Sequence, residues 1–344
     1  MNPELLEMQR ALLARHGITG AAADQAIELS FAPSSIHIDR ALTNLAVSIR
    51  NREMIADSCC PVVQVQKPSD KYFVFDPDTM FEEQNAALTG AEAMPGRVRY
   101  KISTATFSVT DYGLMDFVSN KEMESADAPI DPQAHAVRVV TQRLDIQKER
   151  RVATLLFGAG NYGANTEALA GADRWDQTTS DPAQKIDDSI ESCDVRPNVM
   201  VIGAQAWQKL KNHPKLKELI LGRAMIGGKG SPVRVTLELV AQAFDLDAVY
   251  VGRAKYNTNR EGAASARGYI WGKSCALIRV TDAPSPRETD TFAYQFRQGT
   301  RETQVIEAPL PGVRGGQYIK VTESLDEKVI GGANAGFLLT TVVS

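Results

Sequence analysis

Residues 131–157 read DPQAHAVRVVTQRLDIQKERRVATLLF, a run with no glycine and with its one proline in second place. Asp131 can cap a helix and Pro132 can open it, because the first helical N–H has no intrahelical partner to lose. Val137, Val140, Leu144, Val152 and Leu155 then recur near helical spacing. The pattern predicts one helix over 132–157, about 39 Å long at 1.5 Å per residue. Its other face carries Arg138, Arg143, Lys148, Arg150 and Arg151 against Asp145 and Glu149. Such a face is read first as solvated and second as turned towards a polyanion.

Upstream, Asn2 and Pro3 open a short amphipathic helix that stops at Gly17, and IDRALTNLAVSIR (38–50) forms a second amphipathic stretch. Residues 1–61 are too sparsely apolar to build a core alone and read as an arm that packs on something else. From Val62 the period becomes two: VVQVQ (62–66) and KYFVF (71–75), separated by Pro68-Ser69-Asp70, and then RVRYKI (97–102). Between the strands lie residues 76–96, too long for a loop inside a compact domain, which read as a lid or a contact with another subunit.

Downstream, a helix is expected from Asp181-Pro182 with Ile186 and Ile190 inward, followed by strand NVMVIG (198–203) and helices AQAWQKLKN (204–212), 214–221 and TLELVAQAF (236–244). Strands AVYVG (248–252), GYIWG (268–272) and KSCALIRV (273–280) follow, so helices and strands alternate as in a layered α/β unit. Residues 196–234 hold eight Lys or Arg against Glu218 alone, including the basic loop GRAMIGGKGSP (222–232). The tail reads as separate strands TFAYQFRQ (291–298), TQVIEAP (303–309) and QYIKVT (317–322), a glycine hinge, and FLLTTVV (337–343). That last strand is too hydrophobic for a free edge and should insert into the α/β unit.

Gly158-Ala159-Gly160-Asn161-Tyr162-Gly163 satisfies the dinucleotide pattern G-x-G-x-x-G, which alone would propose a nucleotide-dependent oxidoreductase. That chemistry needs a strand before the glycines, a helix after them, and a second strand ending in an acid. Here VATLLF continues a helical pattern, ANTEALAG (164–171) makes barely two helical turns, and no second strand arrives. The glycines are better read as the helix stop, with Gly160 at a positive φ.

Lys and Arg number 38 against 42 Asp and Glu, a net charge of −4, so no overall basic field holds nucleic acid and any such contact is local. No apolar run approaches the roughly 18 residues of a membrane span, and the N-terminal residues lack a signal-peptide pattern, which points to a cytoplasmic product. Cys59, Cys60, Cys193 and Cys275 form no C-x-x-C, and His16, His37, His135 and His213 are far apart. A reduced compartment and no metal site are expected. No residue qualifies as catalytic or cofactor-binding.

An arm, a long hairpin with an outsized connection, one very long helix and an α/β unit closed by the final strand: in that order the chain resembles the major capsid proteins of tailed bacteriophages. The wording is closest from ANTEALAGADRWDQ through SDPAQKIDDSIES to RPNVMVIGAQAWQKLKNHPKL (164–216). The resemblance implies an α+β Hong Kong 97-type fold. Residues 1–61 would be the N-terminal arm and 62–112 the extended β-hairpin loop. Residues 113–182 and 286–324 would be the peripheral domain with spine helix 132–157, and 183–285 and 325–344 the α/β axial domain. It further implies self-assembly into hexamers and pentamers of an icosahedral head around double-stranded DNA, built in the host cytoplasm and carried in the virion, with scaffolding and portal proteins as partners and no catalytic, cofactor or metal residues. An encapsulin-like compartment is the alternative within the fold. Lys67, Lys71, Glu82 and Glu83 fall in the loop region and read as solvated, so no covalent cross-link is assigned.

Overall fold

The computed structural model describes residues 36–38, 53–75, 102–126, 131–224, 234–259, 264, 266–281, 291–309 and 314–344. Most of the expected arm, the 76–96 connection and the basic loop beyond residue 224 lie outside these residues. In chain order the elements are β1 (Ile36–Ile38), α1 (Ala56–Cys59), β2 (Val62–Val65), β3 (Ser69–Phe75), β4 (Ile102–Ser108), β5 (Thr110–Ser119), α2 (Asn120–Ser125) and α3 (Pro132–Leu156). Then come β6 (Thr166–Ala168), α4 (Pro182–Glu191), β7 (Val199–Gly203), α5 (Ala204–Leu210), α6 (Pro214–Ala224), α7 (Leu237–Ala243) and β8 (Ala248–Gly252). The last are β9 (Lys255–Asn257), β10 (Arg267–Tyr269), β11 (Cys275–Ile278), β12 (Ala293–Ala308), β13 (Gly316–Val329) and β14 (Gly336–Thr340).

The central sheet runs β6-β14-β11-β7-β8. β11 is antiparallel to both β14 and β7, whereas β7 with β8 and β14 with β6 are parallel. Side chains alternate across its two faces. Met200, Ile202, Cys275, Leu277 and Leu339 pack into one core with Trp207, Leu210 and Leu216 of the helical layer. Val199, Val201, Ala276, Ile278 and Leu338 face a second core made by Val152 and Leu156 of α3 with Trp271 and Phe292. Burial on both faces is why these strands read as unbroken apolar runs. The final strand lies inside the sheet, between β11 and β6, as its hydrophobicity demanded.

Two compact units emerge from the described chain. In the smaller, Val118, Ala136, Val137 and Ile319 form the core, and Ser119 and Glu122 close α2 with a reciprocal capping box. In the larger, β3 and β4 form an antiparallel ribbon from Ser69 opposite Ser108 to Phe75 opposite Ile102. Tyr72 and Phe107 anchor its base on Phe296, with ring centroids 5.5 and 4.6 Å apart.

Three sequence expectations are corrected. VVQV does not continue into the ribbon but pairs parallel with β12, Val63 opposite Phe296. TFAYQFRQ and TQVIEAP belong to one strand, because Gly299 takes φ +70° without ending it. ANTEALAG is not helical: Thr166–Ala168 is a strand on β14, whose backbone partners outweigh the local helix propensity.

Candidate functional site

The charged face expected on α3 is divided by the structure. Arg138, Arg143 and Arg150 are exposed, with the Arg150 guanidinium 4.5 Å from the Tyr256 ring centre. Asp145, Lys148 and Glu149 are instead buried. Glu149 is fully enclosed, and its carboxylate accepts from the N–H of Ile55 (2.9 Å) and Ala56 (3.0 Å) and from Trp271 Nε1 (2.6 Å). The two backbone donors sit at the start of α1, where N–H groups have no intrahelical partner. Burial raises the Glu149 carboxyl above the ordinary glutamate range, although those donors and Lys148 pull the other way.

Lys148 Nζ lies 2.9 Å from Asp57 Oδ1, and Gln295 Nε2 donates to the Cys60 carbonyl at 2.7 Å and to Asp57 at 3.2 Å. Burial alone would raise the Asp57 carboxyl, but the Lys148 charge and hydrogen bond, with Arg297 and Gln295, hold it below the usual range. One turn on, Arg151 Nε donates to Glu327 at 3.0 Å while its guanidinium stacks 3.7 Å from the Tyr112 ring centre. The second half of α3 therefore fastens residues 55–60, the start of β5, and strands β12 and β13.

At the pseudo-fingerprint, VATLLF is the last turn and a half of α3, not a strand. Gly160 does not take the expected positive φ; Gly163 does, at +54°. The helix is closed by side chains: Asn161 Nδ2 donates to the Leu155 carbonyl and the Tyr162 hydroxyl to that of Leu156, each at 2.7 Å. His213 Nε2 lies 3.0 Å from the Gln177 carbonyl and 3.2 Å from Ser180 Oγ, buried as a staple of that loop. Among the described residues no three His, Cys, Asp or Glu are grouped to hold a metal ion, and no helix is long and apolar enough to cross a membrane. The four thiols are free. Burial pushes Cys59, Cys60 and Cys275 far above the ordinary thiol range and Cys193 up to about 12.

What the chain offers outward is surface. Phe73 of the ribbon and Met115 of β5 are 49% and 63% exposed. A cleft of about 780 Å³ opens between Trp207 and Lys211, the α3 residues Gln142 and Ile146, and the β9–β10 pair with Arg253. The sequence reading missed the Glu149 cluster, the Asn161–Tyr162 cap and this cleft. Only the first left a trace: residue 148 lies four after Leu144 and four before Val152, in phase with the apolar stripe.

Comparison with known proteins agrees with this architecture. Residues 160–263 match the family model described as phage major capsid protein E. A protein of Pseudomonas phage JBD67, named major capsid protein, is 31% identical over 308 residues, spanning 89% of this chain and 97% of its own. The crystal structure of a phage-related protein from Bordetella bronchiseptica RB50 superposes with a TM-score of 0.67 at 21% identity, over 89% of this chain and 97% of that one. A chain from the capsid structure of cyanophage P-SCSP1u gives 0.56 at 10% identity, over 93% and 94%.

Proposed function

The chain belongs to the major capsid proteins of bacteriophages, and from that premise we propose that its copies close as hexamers and pentamers into an icosahedral head around double-stranded DNA. The observation that carries this is the 31% identity to a phage major capsid protein along nearly the full length of both. Its fold is the Hong Kong 97-type capsid fold, shared with the cyanophage capsid chain it superposes on. As a virion protein it has a structural role.

In the finer reading, the β3–β4 ribbon with residues 76–96 is the extended loop and α3 the spine. Residues 183–285 with 325–344 make the axial domain, and 113–182 with 286–324 the peripheral one. Assembly takes place in the host cytoplasm with scaffolding and portal proteins, and no residue serves catalysis or a cofactor. The exposed Arg138 and Arg143 are the side chains through which α3 meets packaged DNA, by phosphate contact without base preference. The buried polar cluster supports this division of labour, because it makes the spine a rigid support and leaves the ribbon and cleft for contacts between copies. Electron microscopy of the purified chain tests the reading: closed shells are expected, and a species that stays monomeric at every concentration and salt would refute it. DNA inside those shells separates a phage head from an encapsulin-like compartment, which would hold protein cargo.

A further inference from the structure

His213 stands immediately before Pro214, the first residue of α6, and is 3% exposed. Its Nε2 lies 3.0 Å from the Gln177 carbonyl, which only accepts, so in the neutral ring Nε2 carries the hydrogen and Nδ1 the lone pair. Ser180 Oγ, itself donating to that carbonyl at 2.9 Å, is 3.2 Å from the same nitrogen. Nδ1 is buried with no hydrogen-bond partner among the described residues. A second proton would place an N–H where nothing accepts it, and a positive charge at the N-terminal end of a helix, where the peptide dipoles repel cations. The charged groups on the surrounding elements are Arg174, Asp176 and Asp181 of the loop, Lys185 of α4, Lys209 and Lys211 at the end of α5, and Lys215 and Lys217 of α6. Asp181, the acid whose field reaches the ring, is held by Lys215 at 3.0 Å, and Lys185 is bound to Glu167.

The loop that His213 fastens holds a second segment in turn. Trp175 N–H donates to the Val342 carbonyl at 2.8 Å, and Asp176 accepts the Ser344 hydroxyl at 2.6 Å. The Trp175 side chain is packed in the core with Trp207, Leu210 and Leu216, whereas Gln177, Thr178 and Thr179 are exposed. Gly171, at φ +56°, bounds the loop upstream, and Asp181, accepting from the Gln184 N–H at 3.3 Å to cap α4, bounds it downstream. We infer that His213 is an acid-sensitive staple: on protonation it lets go of residues 174–180, and through them of residues 342–344, while the central sheet stays paired. In the released loop both ring N–H groups reach water, so opening takes up a proton. It is therefore favoured as pH falls through the range in which imidazole charges, about pH 8 to 5. The device is a property of the α/β unit and does not depend on the capsid reading.

Hydrogen exchange read by mass spectrometry on the full-length chain tests it, at about pH 7.5 and about pH 5.5, on either side of the ordinary imidazole range. Rates are corrected for the intrinsic effect of pH, at a concentration and salt where sedimentation shows the same assembly state at both values. One proton taken up on opening changes the opened fraction by up to about tenfold per pH unit. Peptides covering 174–180 and 340–344 are therefore expected to exchange at least about tenfold faster at the lower pH, with those of β7 and β11 unchanged. His213→Gln keeps an amide N–H for the Gln177 carbonyl but takes no proton, and should hold the two rates within about twofold. Asp181→Asn should retain the response. No acid response in the parent, an equal response in His213→Gln, or its loss in Asp181→Asn overturns the inference. Should His213→Gln fail to fold, the parent decides alone. A gain confined to 174–180 and 340–344 upholds the staple, and a gain shared by β7 and β11 is general acid unfolding and overturns it.

Discussion

A carboxylate without exposed surface is tolerated at residue 149 because three N–H groups point at it. Glu149→Ala leaves those donors buried and unpaired, and is expected to cost about 3–5 kcal/mol in urea unfolding. The proton linkage has a definite sign. Since burial raises the folded-state pKa of Glu149, the folded chain binds more protons than the unfolded one just above the ordinary glutamate range. Its contribution is therefore fully present below that range and is lost as pH rises through the raised value. Glu149→Gln should flatten this part of the urea midpoint against pH, and an unchanged slope would show that another group carries it. The glycines divide similarly. Gly163→Ala, at φ +54° with Ala333 Cβ 3.2 Å from the added carbon, should cost about 1–2 kcal/mol, whereas Gly160→Ala meets nothing within 4 Å and should cost about 0.5 kcal/mol or less. Denaturation of both variants checks the pair. The sequence made the helix stop legible but placed the left-handed residue three positions too early, because the closing contacts come from Asn161 and Tyr162 side chains. Nor could it name partners for Lys148 and Glu149, since Asp57 and Trp271 lie 91 and 122 residues away.

At the scale of elements, what sequence revealed depended on how local the cause was. Helix α3 was readable from its cap and stripe, and β7 and β11 from runs buried on both faces. ANTEALAG was misread because its strand exists only through pairing with β14, and Gly299 hid the continuity of β12. The ribbon allows an element-level experiment. Its base is held by Tyr72 and Phe107 on Phe296, so deleting Thr79–Met94 removes sequence beyond the anchored pairs. The expected outcome is an unchanged far-ultraviolet circular dichroism spectrum with loss of closed particles by sedimentation. Normal particles would mean that residues 76–96 are dispensable for contacts between copies.

For the molecule as a whole, a chain of net charge −4, if it encloses DNA as proposed, must confine its positive charge to limited areas. Arg138→Glu with Arg143→Glu should leave empty-shell assembly intact and reduce retained genome, with the deficit growing as salt falls and repulsion lengthens. Equal genome content in parent and variant particles would assign these arginines to solvent. The thiols give a second whole-molecule test. With Cys59, Cys60 and Cys275 buried and Cys193 held at about 12, native protein at pH 8 should take up iodoacetamide at none of the four within the time denatured protein takes up four, read by intact mass.

The placement of β14 also bears on timing during synthesis. Its parallel partner β6 is translated about 170 residues earlier, at roughly 5–20 residues per second, so a ribosome spends on the order of ten seconds or more between the two. Until residues 336–340 emerge, β11 and β6 each lack the strand that joins them, and the two cores cannot close. A ribosome-bound chain halted before residue 336 is therefore expected to be cut by protease at sites the finished chain protects, and equal protection of the two would show that the cores close without β14.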